Sequence, residues 1–213
     1  MILTVTKQNA RFYPDLLRQM HQLRCRVFRD RLGWDVEVED GEERDEFDEL
    51  DPVYLLALDD QEQVVGSWRL LPTMGPYMLK DTFPELLEGQ PAPQHSKVWE
   101  CSRFSVDMPQ GCRDGLAAIN SITGELFHAM VEFCMENGIT EMVTVYDLRV
   151  ARILPRVGCK PRQTTAIRRI GITKALAGWF PINRDVLANI EQATGIRESV
   201  LVHGLPAQLE RAA

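Results

Sequence analysis

Two strand-like segments of this chain carry charged side chains inside otherwise apolar runs. Arg69 lies within Val64 to Leu71, and Glu100 and Arg103 lie within Val98 to Val106. A charge at an inward-facing strand position is costly unless it is paired or used. A fold for this chain must therefore gather these charges into a polar site built across a sheet. Strict alternation puts Glu100, Ser102 and Phe104 on one face and Arg103 on the other. A bulge or twist is needed for Glu100 and Arg103 to serve one pocket. In the other strand Trp68 points away from Arg69. Upstream stand Arg24-Cys25-Arg26-Val27-Phe28, then Gly33-Trp34 and the acidic Asp45-Glu46-Phe47-Asp48.

The 213 residues suffice for one domain with a full core. A net charge of -7 argues against general affinity for nucleic acid or an anionic membrane, which needs a dominant positive field. No apolar run reaches the length of a bilayer-spanning helix, and the start, Met1 to Lys7, lacks the basic-then-apolar pattern of a signal peptide. The expectation is a cytoplasmic protein without a membrane partner. Cys25, Cys101, Cys112, Cys134 and Cys159 are odd in number and lack C-x-x-C spacing. They read as reduced core thiols rather than as a disulfide framework or zinc site. His21, His95, His128 and His203 show no ligand spacing, so no metal is expected. Dinucleotide and P-loop glycine motifs are absent from the sequence.

Periodicity orders the rest. Residues 2–6 read as a strand, and Asp15 to Arg31 as a helix burying Leu16, Leu17, Met20, Leu23, Val27 and Phe28, stopped at Gly33. Asp35 to Asp51 holds eleven carboxylates and one arginine, which predicts an exposed, partly mobile loop. Val53 to Asp59 and Val64 to Pro72 form a hairpin. A short helix around Asp81 to Leu87 precedes a strand at Val98 to Val106. The longest helical pattern, Leu116 to Asn137, ends at Gly138. Thr140 to Tyr146 is a buried strand, Leu148 to Val157 a helix ending at Gly158, and Thr165 to Ile170 and Thr173 to Phe180 two more strands. A late helix spans Asn183 to Ala193, with Asn183 as its N-cap. The expected architecture is a single α/β domain: a mixed sheet with helices on both faces.

Charge is distributed unevenly. Met142 to Lys174 contains eight basic residues against one acid, Asp147. Arg149, Arg152 and Arg156 share one face of the helix from Leu148. Either this is a solvated face, or it docks a small or local anion such as coenzyme A phosphates or an acidic carrier protein.

The charged cluster has a chemical reading. A carboxylate beside a partly apolar pocket serves as a general base, and Glu100 is the candidate. Arginines hold a substrate carboxylate by paired hydrogen bonds. Phe28 and Trp34 offer faces for a cation, and Asp45 and Asp48 suit an ammonium group. These parts describe a pocket for a zwitterion with an extra positive centre. Each has a structural alternative: Phe28 and Trp34 as packing, Asp45 and Asp48 as solvated acids, Glu100 and Arg103 as an ion pair.

These residues resemble the acyl-homoserine-lactone synthases, the LuxI-type autoinducer synthases of bacterial quorum sensing. The resemblance runs from about residue 15 to 180. It rests on Arg24, Phe28, Trp34, Asp45 and Asp48 in E-R-D-E-F-D, Arg69 in W-R-L-L-P-T, and Glu100 and Arg103 in W-E-C-S-R-F. It implies a GNAT-like α-β-α sandwich around a V-split sheet. It also implies a reaction: the amine of S-adenosylmethionine attacks an acyl thioester on acyl carrier protein or coenzyme A, then the methionyl carboxylate closes a lactone and methylthioadenosine leaves. S-adenosylmethionine is then a substrate and no cofactor is required. Under this resemblance Glu100, Arg103 and Asp45 are catalytic. S-adenosylmethionine is held by Arg24, Phe28, Trp34, Asp45, Asp48, Arg69, Ser102, Arg103 and Phe104, with Arg24 and Arg69 alternatively ordering the acidic loop. Met78, Leu79, Met142, Thr144 and Tyr146 line the acyl tunnel, and a threonine like Thr144 accompanies 3-oxo chains in this family. The rivals are an ordinary GNAT N-acyltransferase, whose Q/R-x-x-G-x-G/A turn is missing from Gln110 to Ala117, and a non-catalytic acyl or adenosyl sensor.

Overall fold

A nine-stranded mixed sheet organises the structure, a computed structural model that describes residues 1–107 and 121–204. In chain order the elements are β1 (Ile2–Val5), α1 (Pro14–Cys25), a π-helical turn at Arg26–Arg31, a small ribbon of β2 (Val38–Glu39) and β3 (Glu42–Glu43), and a 3₁₀ turn at Glu46–Glu49. There follow β4 (Val53–Leu58), β5 (Val64–Pro72), α2 (Met78–Asp81), a 3₁₀ turn at Pro84–Leu87, and β6 (Val98–Val106). The C-terminal half holds α3 (Ser121–Glu136), β7 (Glu141–Asp147), α4 (Leu148–Ile153), a 3₁₀ turn at Leu154–Val157, β8 (Gln163–Thr164), β9 (Arg168–Ile170), β10 (Thr173–Pro181), α5 (Arg184–Thr194) and β11 (Leu201–His203). The strand order is β11-β1-β4-β5-β6-β7-β10-β8, with β9 also paired to β10. Only β1–β11 and β6–β7 are parallel pairs among the described strands.

Alternation along the central strands builds two cores. Leu55, Ala57, Trp68, Leu70 and Cys101 face α3 and α5, against Leu126, Phe127, Met130 and Ile190. Leu56, Leu58 and Tyr54 face α1, against Met20, Leu23, Val27 and Phe28. Both faces of the sheet are covered, which is why β4 is apolar throughout.

The sheet splits where β6 meets β7. These strands pair at Val98↔Glu141, Trp99↔Met142 and Glu100↔Val143 and no further, although β6 continues to Val106 and β7 to Asp147. Between β5 and β6 the register passes from Ser67↔Ser105 to Arg69↔Ser102, so β6 carries one extra residue. Arg103 takes the left-handed φ of +57° at this bulge. The bulge turns Arg103 to the side of Glu100 and Ser102. It also sends Phe104 to the opposite face, against Trp68 at 5.0 Å and Phe127 at 5.8 Å. The expectation that Glu100, Ser102 and Phe104 share a face fails for Phe104 for this reason.

Other expectations shift in detail. The acidic stretch is not wholly exposed: Asp35, Glu37, Glu39, Asp40, Glu46, Glu49 and Asp51 are open, but Glu43 and Phe47 are buried. The first helix changes hydrogen-bond register after Cys25, with Leu32 N–H reaching the Val27 carbonyl at 3.0 Å. The strand expected at Thr165 to Ile170 divides into β8 and β9, and β11 escaped the sequence pattern because it is only three residues long. Residues 116–120 of the long helix, the Gln110 to Ala117 stretch and Cys112 lie outside the described residues.

Gly158 terminates the 3₁₀ turn after α4 with φ +76°, and a Cβ there would stand 2.3 Å from the Asn189 carbonyl oxygen of α5. Gly158→Ala should lower stability by roughly 2–3 kcal/mol, from left-handed strain plus the forced separation of α5. Urea unfolding monitored by circular dichroism checks this.

Candidate active site

The charged residues converge on the α1 side of the sheet, in one buried network of three arginines and three carboxylates. Arg24 donates from Nη1 and Nη2 to Asp48 at 2.7 and 2.9 Å, and from Nε to Glu43. Arg69 grips Asp45 through both terminal nitrogens and also reaches Asp48 at 2.8 Å and Ser102 at 3.1 Å. Arg103 donates from Nε to Glu43 at 3.0 Å and pairs through Nη2 with Asp45 at 2.7 Å. Tyr54 O–H donates to Asp48 at 2.7 Å, and His21 Nδ1 lies 2.9 Å from the Glu43 carbonyl. None of the six charged side chains is more than 11% exposed. Burial disfavours ionisation of Asp48, but the hydrogen bonds and charges of Arg24 and Arg69 outweigh it and hold the carboxyl well below its usual range.

The local chain explains this arrangement. Asp45 N-caps the Glu46–Glu49 turn, accepting from Phe47 N–H at 3.0 Å, while Asp48 accepts from Asp45 N–H at 2.9 Å, a reciprocal capping box. The caps fix both carboxylates toward the sheet, where Phe47 packs with Leu71 and Met78.

Glu100 stands beside this neutral network, and no salt bridge to it occurs among the described residues. Its Oε2 accepts from Met78 N–H at 2.9 Å and its Oε1 from Leu79 N–H at 2.7 Å. Burial pushes its carboxyl up to about 7, against the pull of those two N–H donors and of the Arg69 and Arg103 charges.

A cavity of about 470 Å³ runs through the split sheet. On the α1 side it is lined by Phe28, Trp34, Met78, Glu100, Ser102 and Arg103. On the α3 side it is lined by Trp68, Phe104, Phe127, Met142, Tyr146 and Phe180, with Thr144 between. Phe28 and Trp34 stack with ring centroids 5.2 Å apart, and Arg103 lies over the Phe28 ring at 5.5 Å.

The site residues expected from sequence therefore divide. Phe28, Trp34, Glu100, Ser102, Arg103, Phe104, Met78, Met142, Thr144 and Tyr146 reach the cavity. Arg24, Asp45, Asp48 and Arg69 are not among the residues that line it, and the oxygens of Asp45 and Asp48, expected to meet an ammonium group, are engaged by arginines. Leu79 packs instead with Tyr77, Leu86 and Val143, and contributes through its backbone N–H. Phe104 lies at the apolar end of the cavity, away from the charged one. Glu43 was missed: it is fully buried and bridges Arg24 to Arg103, but nothing in its residue type separates it from ten other acids around it. Tyr54 was missed likewise, as an ordinary aromatic in an apolar strand.

Arg149, Arg152 and Arg156 are exposed. The helix ends at Ile153, so Arg156 sits on the following 3₁₀ turn and not on one continuous helical face. Within this basic stretch Arg162 pairs with Glu141 and Arg168 with Glu88.

A split α/β sheet pierced by a cavity, polar at one end and apolar at the other, with a buried carboxyl at the junction, defines the class: a GNAT-like enzyme joining a charged substrate to an acyl group. Residues 8–190 match the family described as autoinducer synthase. The acyl-homoserine-lactone synthase of Agrobacterium fabrum is 44% identical over 191 residues, spanning 90% of this chain and 89% of that protein. The crystal structure of the AHL synthase LasI superposes with a TM-score of 0.77 at 35% identity, covering 93% of this chain and 98% of that one. The CoA-dependent acyl-homoserine lactone synthase BjaI, solved with SAM and isopentyl-CoA, gives 0.82 at 28% identity, covering 100% and 98%. The chain belongs to the autoinducer synthase family.

Removing Glu43 should break the network at its bridge. Glu43→Gln leaves Arg24 and Arg103 without their shared anion and should cost about 3–5 kcal/mol in urea unfolding. A loss below about 1 kcal/mol would show that the remaining carboxylates neutralise both arginines.

Proposed function

We infer that this chain is an acyl-homoserine-lactone synthase: it acylates the amine of S-adenosylmethionine from an acyl thioester, closes the lactone and releases methylthioadenosine. The observation that carries the reading is Glu100, a buried carboxyl of raised pKa at the junction of the polar and apolar ends of the cavity.

The amine of S-adenosylmethionine must lose a proton to become a nucleophile. With a pKa of about 7, Glu100 takes that proton near neutral pH, directly or through a water. The Met78 and Leu79 N–H groups orient the carboxyl without consuming all of its lone pairs. The stacked Phe28 and Trp34 suit the sulfonium and adenosyl groups. Among the described residues Arg103 directs three of its five N–H groups to Glu43, Asp45 and the Met78 sulfur, and the others suit the methionyl carboxylate. Lactonisation then needs that carboxylate held in line with the γ-carbon, a matter of positioning. The strand edges of β6 and β7 beyond Glu100 and Val143 are unpaired and can turn backbone N–H groups toward the thioester oxyanion. The acyl chain fits the apolar end, between Trp68, Phe127 and Phe180. BjaI, solved with SAM and isopentyl-CoA, supports this substrate pair, and the basic α4 supports an acidic carrier protein as the donor's alternative form.

Incubating the protein with S-adenosylmethionine and a hexanoyl thioester should release methylthioadenosine and the acyl lactone, read by mass spectrometry; a non-catalytic sensor releases neither. The kcat/KM should rise with pH through about 7, because the base works only once deprotonated. Glu100→Gln should abolish that inflection and lower kcat at least about 100-fold while the protein remains folded. Arg152→Glu should raise the KM for a carrier-linked donor relative to a CoA-linked one about ten-fold at low salt.

A further inference from the structure

Two arginines flank the open end of the split sheet. Arg31 closes the π-helical turn, and its Nη1 donates to the carbonyl of Val106, the last residue of β6, at 3.2 Å. Arg149 is the second residue of α4, just beyond the end of β7. Their chain neighbours Leu32, Asp147 and Val150 line the cavity. Neither arginine makes a salt bridge among the described residues. Asp107, which faces Arg31, is shared with Arg26 at 3.3 Å, and the Asp147 carboxylate is engaged in capping α4.

The pair is electrostatically unfavourable as it stands. Burial lowers the pKa of Arg31, Asp107 offsets part of this, and the charge of Arg149 lowers it again. An anion bound at the open end between the termini of β6 and β7 would offset this repulsion.

The geometry of the split says which anion. The reacting thioester must reach the head of the split, beside Glu100 and Ser102. From Ser102 to Val106 the strand advances roughly 13 Å at about 3.3 Å per residue. A pantetheine arm, with its two amide units, has the reach of about four extended residues, roughly 14 Å. With its sulfur at the head of the split, its phosphate falls at the open end. We propose that Arg31 and Arg149 form the binding site for the phosphate of the pantetheine arm. This rests on the acyl-thioester reading above and extends it. The same phosphate occurs in coenzyme A and in the prosthetic arm of carrier proteins, so the pair serves either donor. Arg152 and Arg156, farther along, would meet only the carrier's own surface.

The test compares hexanoyl-pantetheine with hexanoyl-4′-phosphopantetheine, with methylthioadenosine release as readout. The wild type should prefer the phosphorylated donor about ten-fold or more in kcat/KM. Arg31→Gln and Arg149→Gln should each cut that preference to about three-fold or less, and Arg31→Lys should restore part of it. Arg149→Gln removes no hydrogen bond made by its side chain among the described residues, so it guards against loss through misfolding. Calorimetric binding of unacylated 4′-phosphopantetheine against pantetheine makes the same comparison without turnover. A wild type that does not discriminate, or variants that keep the wild-type preference, would overturn the phosphate pair. Absence of methylthioadenosine from both donors, with discrimination retained in calorimetry, would instead overturn the synthase reading.

Discussion

Six buried charges tie the acidic N-terminal segment to the sheet. Arg24 comes from α1, Glu43 from β3, Asp45 and Asp48 from the cap of a 3₁₀ turn, Arg69 from β5 and Arg103 from β6. Desolvating any one of them alone costs several kcal/mol, so these elements are stable only together. The network is neutral overall, and that has a consequence for chemistry. Because its charges cancel largely among themselves, Glu100 beside it feels burial more strongly than it feels the arginines, and its carboxyl rises to about 7. A carboxyl poised near neutral pH thus sits beside a structural ion network whose own charges are largely paired.

The split between β6 and β7 and the bulge at Arg103 are two aspects of one device. Loss of pairing after Glu100 opens a passage through the sheet, and the extra residue decides which side chains look into which end. A left-handed arginine costs on the order of 1 kcal/mol. Ion pairs to Glu43 and Asp45 offset that cost. The bulge places the guanidinium beside Phe28 at the charged end and Phe104 at the apolar end. A strand without it would put Phe104 among the charges and Arg103 among the rings.

Much of this was legible in the residue pattern. The strands from Val53 to Val106 show as apolar runs bounded by turn residues, Asn183 marks a helix start, Gly158 marks the end of the helical run that closes in a 3₁₀ turn, and charges inside strands announce a polar site. The need for a bulge between Glu100 and Arg103 followed from their odd spacing. Other features were closed to such reading. Glu43 is one acid among eleven in its stretch, and only the fold selects it for burial. Asp45 and Asp48 look like free carboxylates until the arginines are placed around them. Leu79 has the side chain of a tunnel residue but serves through its backbone.

The amino-acid sequence by itself determined the layers, the position of the charged strands and the membership of this chain in its family, because those depend on periodicity and residue type at short range. The tertiary structure alone decided which charges neutralise one another, which buried carboxyl is left outside the ion pairs with its pKa raised, and which side chains meet across the split. Those outcomes depend on distances between residues far apart in the chain, and on the loss of water around them, neither of which is written in the order of residues.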